Sequence, residues 1–174
     1  MSKRVAFLTA AEGIESVELT EPWAAVTRAG HTAELVSPED GEVQLFDHLD
    51  KDGTQRVDRK VSEVSVDEYD ALVLPGGVAN PDTLRLDAGA VALVKSFMES
   101  GKTVAVICHA PWMLVEADVA RGRRLTSWPS LQTDLRNAGA EWIDEEIVLD
   151  GNLITSRKPD DLPAFSQALV EALG

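Results

Sequence analysis

An α/β fold with a mostly parallel sheet covered by helices on both faces is what this sequence predicts. Three observations carry that expectation. Apolar runs of strand length recur along the chain, helical segments separate them, and the runs stop at glycine, proline or polar residues. Runs that stay apolar rather than alternating are those of strands buried on both faces, as in parallel sheets.

The first run, "RVAFLTA" (Arg4 to Ala10), reads as a buried strand. "SVELTEPWAAVTRAG" follows as a helix, with Ser16 as cap and Gly30 as stop; Pro22 suits it only in the first turn. "HTAELVS" (His31 to Ser37) alternates as a second strand. From Pro38 to Asp70 the chain is polar, acidic and rich in turn residues. Here "EDGEVQLFD" and "TQRVDRKVSEV" predict short exposed strands in a hairpin excursion.

"YDALVLPGG" (Tyr69 to Gly77) returns to the buried pattern and stops at Pro75, Gly76 and Gly77. "AGAVALVKSFMESG" reads as a helix closed by Gly101. "KTVAVICH" is the next buried strand and "APWMLVEA" the next helix. After "RRLTSW" come a helix at "LQTDLRNAG" and a hairpin, "EEIVLDGNLITSR", turning at Asp150 and Gly151. A last helix runs from about Asp160 to Leu173. With no repeat, linker or low-complexity segment, all 174 residues are expected to form one domain.

Composition excludes several roles. A formal net charge of −14 repels phosphate backbones and anionic membrane surfaces, so neither nucleic acid nor membrane is expected as a partner. One cysteine cannot form an internal disulfide, and with three histidines it makes a poor metal set. Lys3 and Arg4 precede an apolar run that Glu12 interrupts, too short to span a membrane. A cytoplasmic location follows as the expectation, with no bound metal, flavin or nucleotide.

In such sheets ligands bind beyond the carboxyl ends of the strands, where the strand order reverses. Three segments are expected there: Glu12 to Ser16, Gly76–Gly77, and Cys108–His109. A lone cysteine at a strand end is often a small core residue. Cys108, however, stands where "VAVI" ends and "APWML" begins, the corner at which a strained residue projects a nucleophile. Backbone N–H groups at the helix start favour a thiolate and can hold an oxyanion; His109, Ala110 and the Gly76–Gly77 turn are the candidate donors. His109 can also shuttle a proton.

Glu12, Glu15 and Glu18 are ordinary helix-start acids unless one lies against the thiolate. Like charge and burial would then keep that one protonated, able to act as general acid or base. His31 reads as structural and His48 as exposed. The four tryptophans read as packing residues, with Trp112 and Trp128 near the expected pocket.

"FLTAAEGIESVEL", "DALVLPGG", "VAVICHAPWML", "RGRRLTSWPSLQTDLRNAGAEW" and "DGNLITSRKPDDL" occur in an order that resembles the ThiJ/PfpI family. This is the intracellular-peptidase-like branch of the superfamily that includes the parkinsonism-associated deglycase. The resemblance runs from about residue 4 to residue 172. It implies a flavodoxin-like three-layer sandwich with Cys108 as elbow nucleophile, His109 beside it, and Glu15 as the glutamate hydrogen-bonded to the cysteine.

In oligomeric members an acid from a neighbouring subunit orients the histidine. That position falls on Asp82, where relatives carry glutamate, one methylene longer. Ala110 replaces a frequent glycine, and Trp128 stands where tyrosine is frequent. A homodimer is the default assembly and a hexamer the alternative.

Three functions follow from these residues and the resemblance. The first is attack of the thiolate on a reactive aldehyde such as methylglyoxal, or on glycated groups, in glyoxalase- or deglycase-type stress protection. The second is peptide hydrolysis through Cys108, His109 and an acid from another chain. The third is oxidative-stress sensing by oxidation of Cys108. A glutaminase is set aside because no histidine follows His109. A flavin phosphate would be repelled by Glu12 and Glu15 in the loop after the first strand.

Overall fold

A computed structural model describes all 174 residues. β1 (Arg4–Leu8) leads through β2 (Glu12–Glu15) into α1 (Ser16–Arg28), then β3 (Thr32–Ser37). β4 (Glu42–Asp47) and β5 (Asp50–Arg56) form the excursion hairpin, and β6 (Arg59–Lys60) rejoins the main sheet. β7 (Ala71–Leu74) precedes α2 (Ala79–Leu84) and α3 (Ala88–Ser100); β8 (Thr103–Ile107) precedes α4 (Trp112–Glu116). β9 (Arg124–Leu125), α5 (Gln132–Asn137) and β10 (Glu141–Trp142) follow. The hairpin of β11 (Val148–Asp150) and β12 (Leu153–Ser156) leads to α6 (Leu162–Leu173).

Seven strands form the main sheet in the order β11-β12-β8-β7-β1-β3-β6, and only β11 runs antiparallel. The fold is thus the helix-flanked, mostly parallel α/β sandwich that the sequence predicts. From β1 the chain moves out to β3 and β6, then returns to the other side of β1 as β7. The strand order reverses between β1 and β7, and a crevice opens beyond their carboxyl ends.

Alternation along each strand divides the core. Val5 and Phe7 of β1, with Ala105 and Ile107 of β8, join a cluster that includes Leu19 and Val26 of α1 and Phe165 and Leu169 of α6. Ala6 and Leu8, with Val104 and Val106, face the opposite cluster, which includes Val94 and Phe97 of α3. Phe7 is completely buried, and Phe7→Ala would cost about 3–5 kcal/mol. No helix is long and apolar enough to cross a membrane.

Pro22 lies in the second turn of α1 rather than the first, inside the helix. It has no N–H for the Glu18 carbonyl, yet α1 continues because Leu19, Pro22 and Val26 are buried. Two of the elements that were not expected border the site. The segment before α1 pairs in parallel with β4 as β2, giving a separate three-stranded sheet β2-β4-β5. A short helix, α2, follows the glycine pair. α4 is shorter than expected, because residues 108–111 form the corner itself and the helix begins at Trp112.

Candidate active site

The corner after β8 is built around a strained residue. Cys108 has φ 65°, in the left-handed region that disfavours a β-carbon. Its N–H donates to the Ser156 carbonyl at 3.1 Å, and its carbonyl accepts the Trp128 N–H at 2.8 Å. Both backbone groups are therefore held by neighbouring chain. That over-determination keeps the strain in place.

Behind the sulfur lies Glu18, not Glu15. The Glu18 side chain is completely buried, and neither carboxyl oxygen has a partner in good hydrogen-bonding geometry. Burial first, then the charge of Glu15, pushes its pKa up to about 8; the Cys108 thiol and the Gly77 and Gly76 amides oppose that shift. Glu15 is instead the residue capping the start of α1, and its carboxylate accepts the His48 N–H at 3.2 Å. Three residues separate the two glutamates, and the first turn of α1 sends Glu18 inward with Leu19 while Glu15 stays on the cavity wall.

The glycine pair makes the room. A β-carbon on Gly76 would lie 2.6 Å from both the Cys108 β-carbon and a Glu18 carboxyl oxygen. Gly77, at φ 83°, packs against the Gly13 backbone so closely that a β-carbon would collide with its carbonyl. The turn is pinned by buried Asn80 of α2, which the sequence reading missed. Its amide donates to the carbonyls of Pro75 (2.9 Å) and Gly76 (3.0 Å), while its oxygen accepts the Ala10 N–H at 2.7 Å.

The donors around sulfur are the amides of Gly77 and His109. Ala110, expected to contribute one, does not: its N–H is committed to the Ile107 carbonyl at 3.1 Å and its side chain is buried. Burial and the neighbouring Glu18 push the Cys108 thiol up, against the pull of these two amides. The expectation that the helix start favours a thiolate is corrected accordingly. The sulfur is nearly buried, and α4 is too short and too late in the chain to supply a strong helix field.

His109 places Nδ1 3.1 Å from the Cys108 sulfur. Its ring stacks on Trp128 (centroids 5.6 Å apart) and meets the edge of Trp112 (5.5 Å). Burial lowers its pKa to about 4, so the ring is neutral at neutral pH. No hydrogen bond or ion pair joins it to a carboxylate of this chain. Asp82 is exposed on α2.

These groups open into a cavity of about 400 Å³. The three expected segments all reach it, together with Phe46, His48 and Leu49 from the excursion hairpin and Trp128 from the loop after β9. His48 is exposed, as expected, but it stands at the cavity mouth. No periodic signal placed the hairpin tip there, because its approach is a tertiary event. A larger groove of about 620 Å³ between α1 and α6 is lined by no cysteine or histidine. Donor atoms of Glu15, Asp47 and His48 lie within 4.8 Å of one another, but Asp47 and His48 are open to solvent.

The chain matches the model of the DJ-1/PfpI family over residues 3–172. It is 44% identical over 167 residues to a deglycase of Thermococcus kodakarensis, covering 95% of this chain and 97% of that protein. Protein/nucleic acid deglycase 2 of Escherichia coli is 42% identical over 175 residues, covering 100% and 99%. Among solved structures, a two-domain protein from Anabaena variabilis with DJ-1/ThiJ/PfpI-like and ferritin-like domains superposes with a TM-score of 0.94 at 35% identity. That match covers 99% of this chain and 48% of the larger one.

Proposed function

Because the chain belongs to the DJ-1/PfpI family, we propose that it is a deglycase-type enzyme whose Cys108 captures reactive aldehydes and their adducts. The observation that carries this reading is the meeting of a strained, buried thiol with a protonated glutamate and two amide donors. A protonated Glu18 no longer repels a thiolate and can hydrogen-bond it. The Gly77 and His109 amides serve the same sulfur.

The chemistry balances without an external oxidant. The Cys108 thiol adds to the aldehyde carbon of a 2-oxoaldehyde: a C–S bond forms, the carbonyl electron pair moves to an oxygen that takes the Glu18 proton, and the thiol proton replaces it on Glu18. His109, neutral and beside the sulfur, removes the hydrogen of that carbon as a proton, giving an enediol. Protonation of the adjacent carbon then leaves a thioester: one carbon is oxidised and its neighbour reduced. Water cleaves the C–S bond, releasing a 2-hydroxy acid and restoring the thiol. An adduct on an amine enters the same sequence once its C–N bond breaks and the amine departs with a proton.

Methylglyoxal consumption and hydroxy-acid release, measured after metal chelation and with buffer controls, test the reading. Cys108→Ser should lower turnover by about 10³-fold or more; turnover equal to wild type would sink the proposal. Peptide hydrolysis ranks second, since it needs an acid on His109 that this chain does not supply. Asp82, exposed on α2, could provide it only to another copy. Asp82→Asn lowering peptide cleavage while leaving the assembly intact would favour that reading, as would a homo-oligomer that seats Asp82 near a neighbour's His109.

A further inference from the structure

The Gly77 amide, one of the two donors beside the sulfur, is half of a peptide unit whose other half is tied elsewhere. A trans peptide points its C=O and its N–H in opposite directions. The carbonyl of this unit, on Gly76, accepts the Asn80 side-chain amide at 3.0 Å and the Glu15 N–H at 3.4 Å. The N–H at its other end is the one that serves Cys108 and Glu18.

With glycine on both sides, no β-carbon opposes rotation of this peptide about its flanking bonds. A half-turn would put a carbonyl oxygen where a thiolate needs a donor. Of the two groups that hold the Gly76 oxygen, Asn80 makes the shorter bond, and its own amide is held at both ends. Nδ2 donates also to the Pro75 carbonyl at 2.9 Å, and Oδ1 accepts the Ala10 N–H at 2.7 Å. Reversing that amide would set its oxygen against two carbonyls. The residue is 1% exposed, so water cannot replace these bonds.

We propose that Asn80 is a positioning residue for the chemistry at Cys108: it locks the Gly76–Gly77 peptide with its N–H toward the sulfur, and without it the peptide turns over. The proposal rests on the reading of Cys108 as nucleophile, whatever carbonyl the thiol attacks. A merely structural bracket would act in the opposite sense. Loosened packing uncovers a nearly buried thiol and speeds its modification, whereas a lost donor destabilises the thiolate and slows it.

Alkylation of Cys108 by iodoacetamide, a small neutral reagent, reads this difference without turnover. Asn80→Ala should lower the rate at neutral pH about fivefold or more and move the pH profile of the rate upward. Asn152 supplies the control, because its amide also donates to two carbonyls, those of Lys102 (2.9 Å) and Met98 (3.3 Å), at the amino end of β8. Asn152→Ala should leave the alkylation rate within about twofold of wild type.

An unchanged or raised rate in a folded Asn80 variant would overturn the lock, and so would an equal fall in Asn152→Ala. Asn80→Ser keeps a polar group in the buried site and should show the same fall, weaker, should the alanine variant not fold. With methylglyoxal, Asn80→Ala should lower kcat about tenfold or more while KM moves little; a loss confined to KM would count against the lock. A fall in alkylation with no methylglyoxal turnover by the wild type would support the lock and defeat the deglycase reading alone. A wild-type thiol inert to iodoacetamide would remove both.

Discussion

The floor and the rim of the cavity treat the same residue type in opposite ways. At the floor, Glu18 is cut off from water beside a thiol and holds its proton to about 8. At the rim, Glu15 faces the cavity, accepts the His48 N–H and helps keep Glu18 protonated through its own charge. The floor belongs to the seven-stranded sheet and α1, whereas the side of the rim that carries Glu15 and His48 belongs to the small sheet β2-β4-β5 and its hairpin. One glutamate is sealed beside the thiol and carries a proton; the other keeps an edge on the cavity and the hydrogen bond from the His48 amide.

The largest expected effect separates these two. Glu18→Gln should lower methylglyoxal turnover by about 10²-fold or more, the scale of a lost general acid, and Glu15→Gln by only a few-fold. Equal losses measured by steady-state kinetics would erase the distinction.

The glycine pair offers a structural break. Gly76→Ala drives a β-carbon into the Cys108 β-carbon and Glu18, and should cost about 1–3 kcal/mol in denaturant unfolding. Leu49→Ala at the exposed hairpin tip should stay within about 0.5 kcal/mol. A Gly76→Ala protein as stable as wild type would mean that the floor yields more easily than its packing implies.

Stability against pH sharpens the same contrast. The pKa of Glu18 rises from 4.5 to about 8 on folding, so its contribution is complete below 4.5 and is lost as pH rises toward 8. Glu18→Gln cannot ionise and escapes that loss. Its Tm relative to wild type should climb by several degrees between about pH 5 and pH 8; a constant offset would show that Glu18 ionises freely in the fold. The smallest effect belongs to the rim: Trp128→Ala, which removes the ring stacked on His109, should raise KM a few-fold with a smaller change in kcat.

Much of the fold was legible in the sequence because each buried strand is a continuous apolar run ending in punctuation. Cys108 was legible for the same reason, standing where "VAVI" meets a helix. The choice among Glu12, Glu15 and Glu18 was not settled by spacing alone, and the resemblance favoured the wrong one. A signal did exist: Glu18 falls in phase with Pro22 and next to Leu19 on the buried stripe of α1, whereas Glu15 precedes the helix.

Nothing comparable marked Asn80 or the hairpin tip. Asn80 matters through hydrogen bonds to segments far along the chain or across the turn. His48 and Leu49 reach the cavity only because β2 pairs with β4. Such contacts have no period to read. Ala110 failed as a donor for a local reason, since the tight corner had already spent its N–H on Ile107.

Two of the three non-glycine residues with left-handed backbones, Cys108 and His48, sit on this one cavity. Glycine at either place would ease the backbone. At 48 the loss would be an exposed imidazole, and at 108 the thiol itself. Selection for thermal hardiness alone would therefore press on the cavity from both corners, so a lineage under that pressure could keep its fold and shed its chemistry.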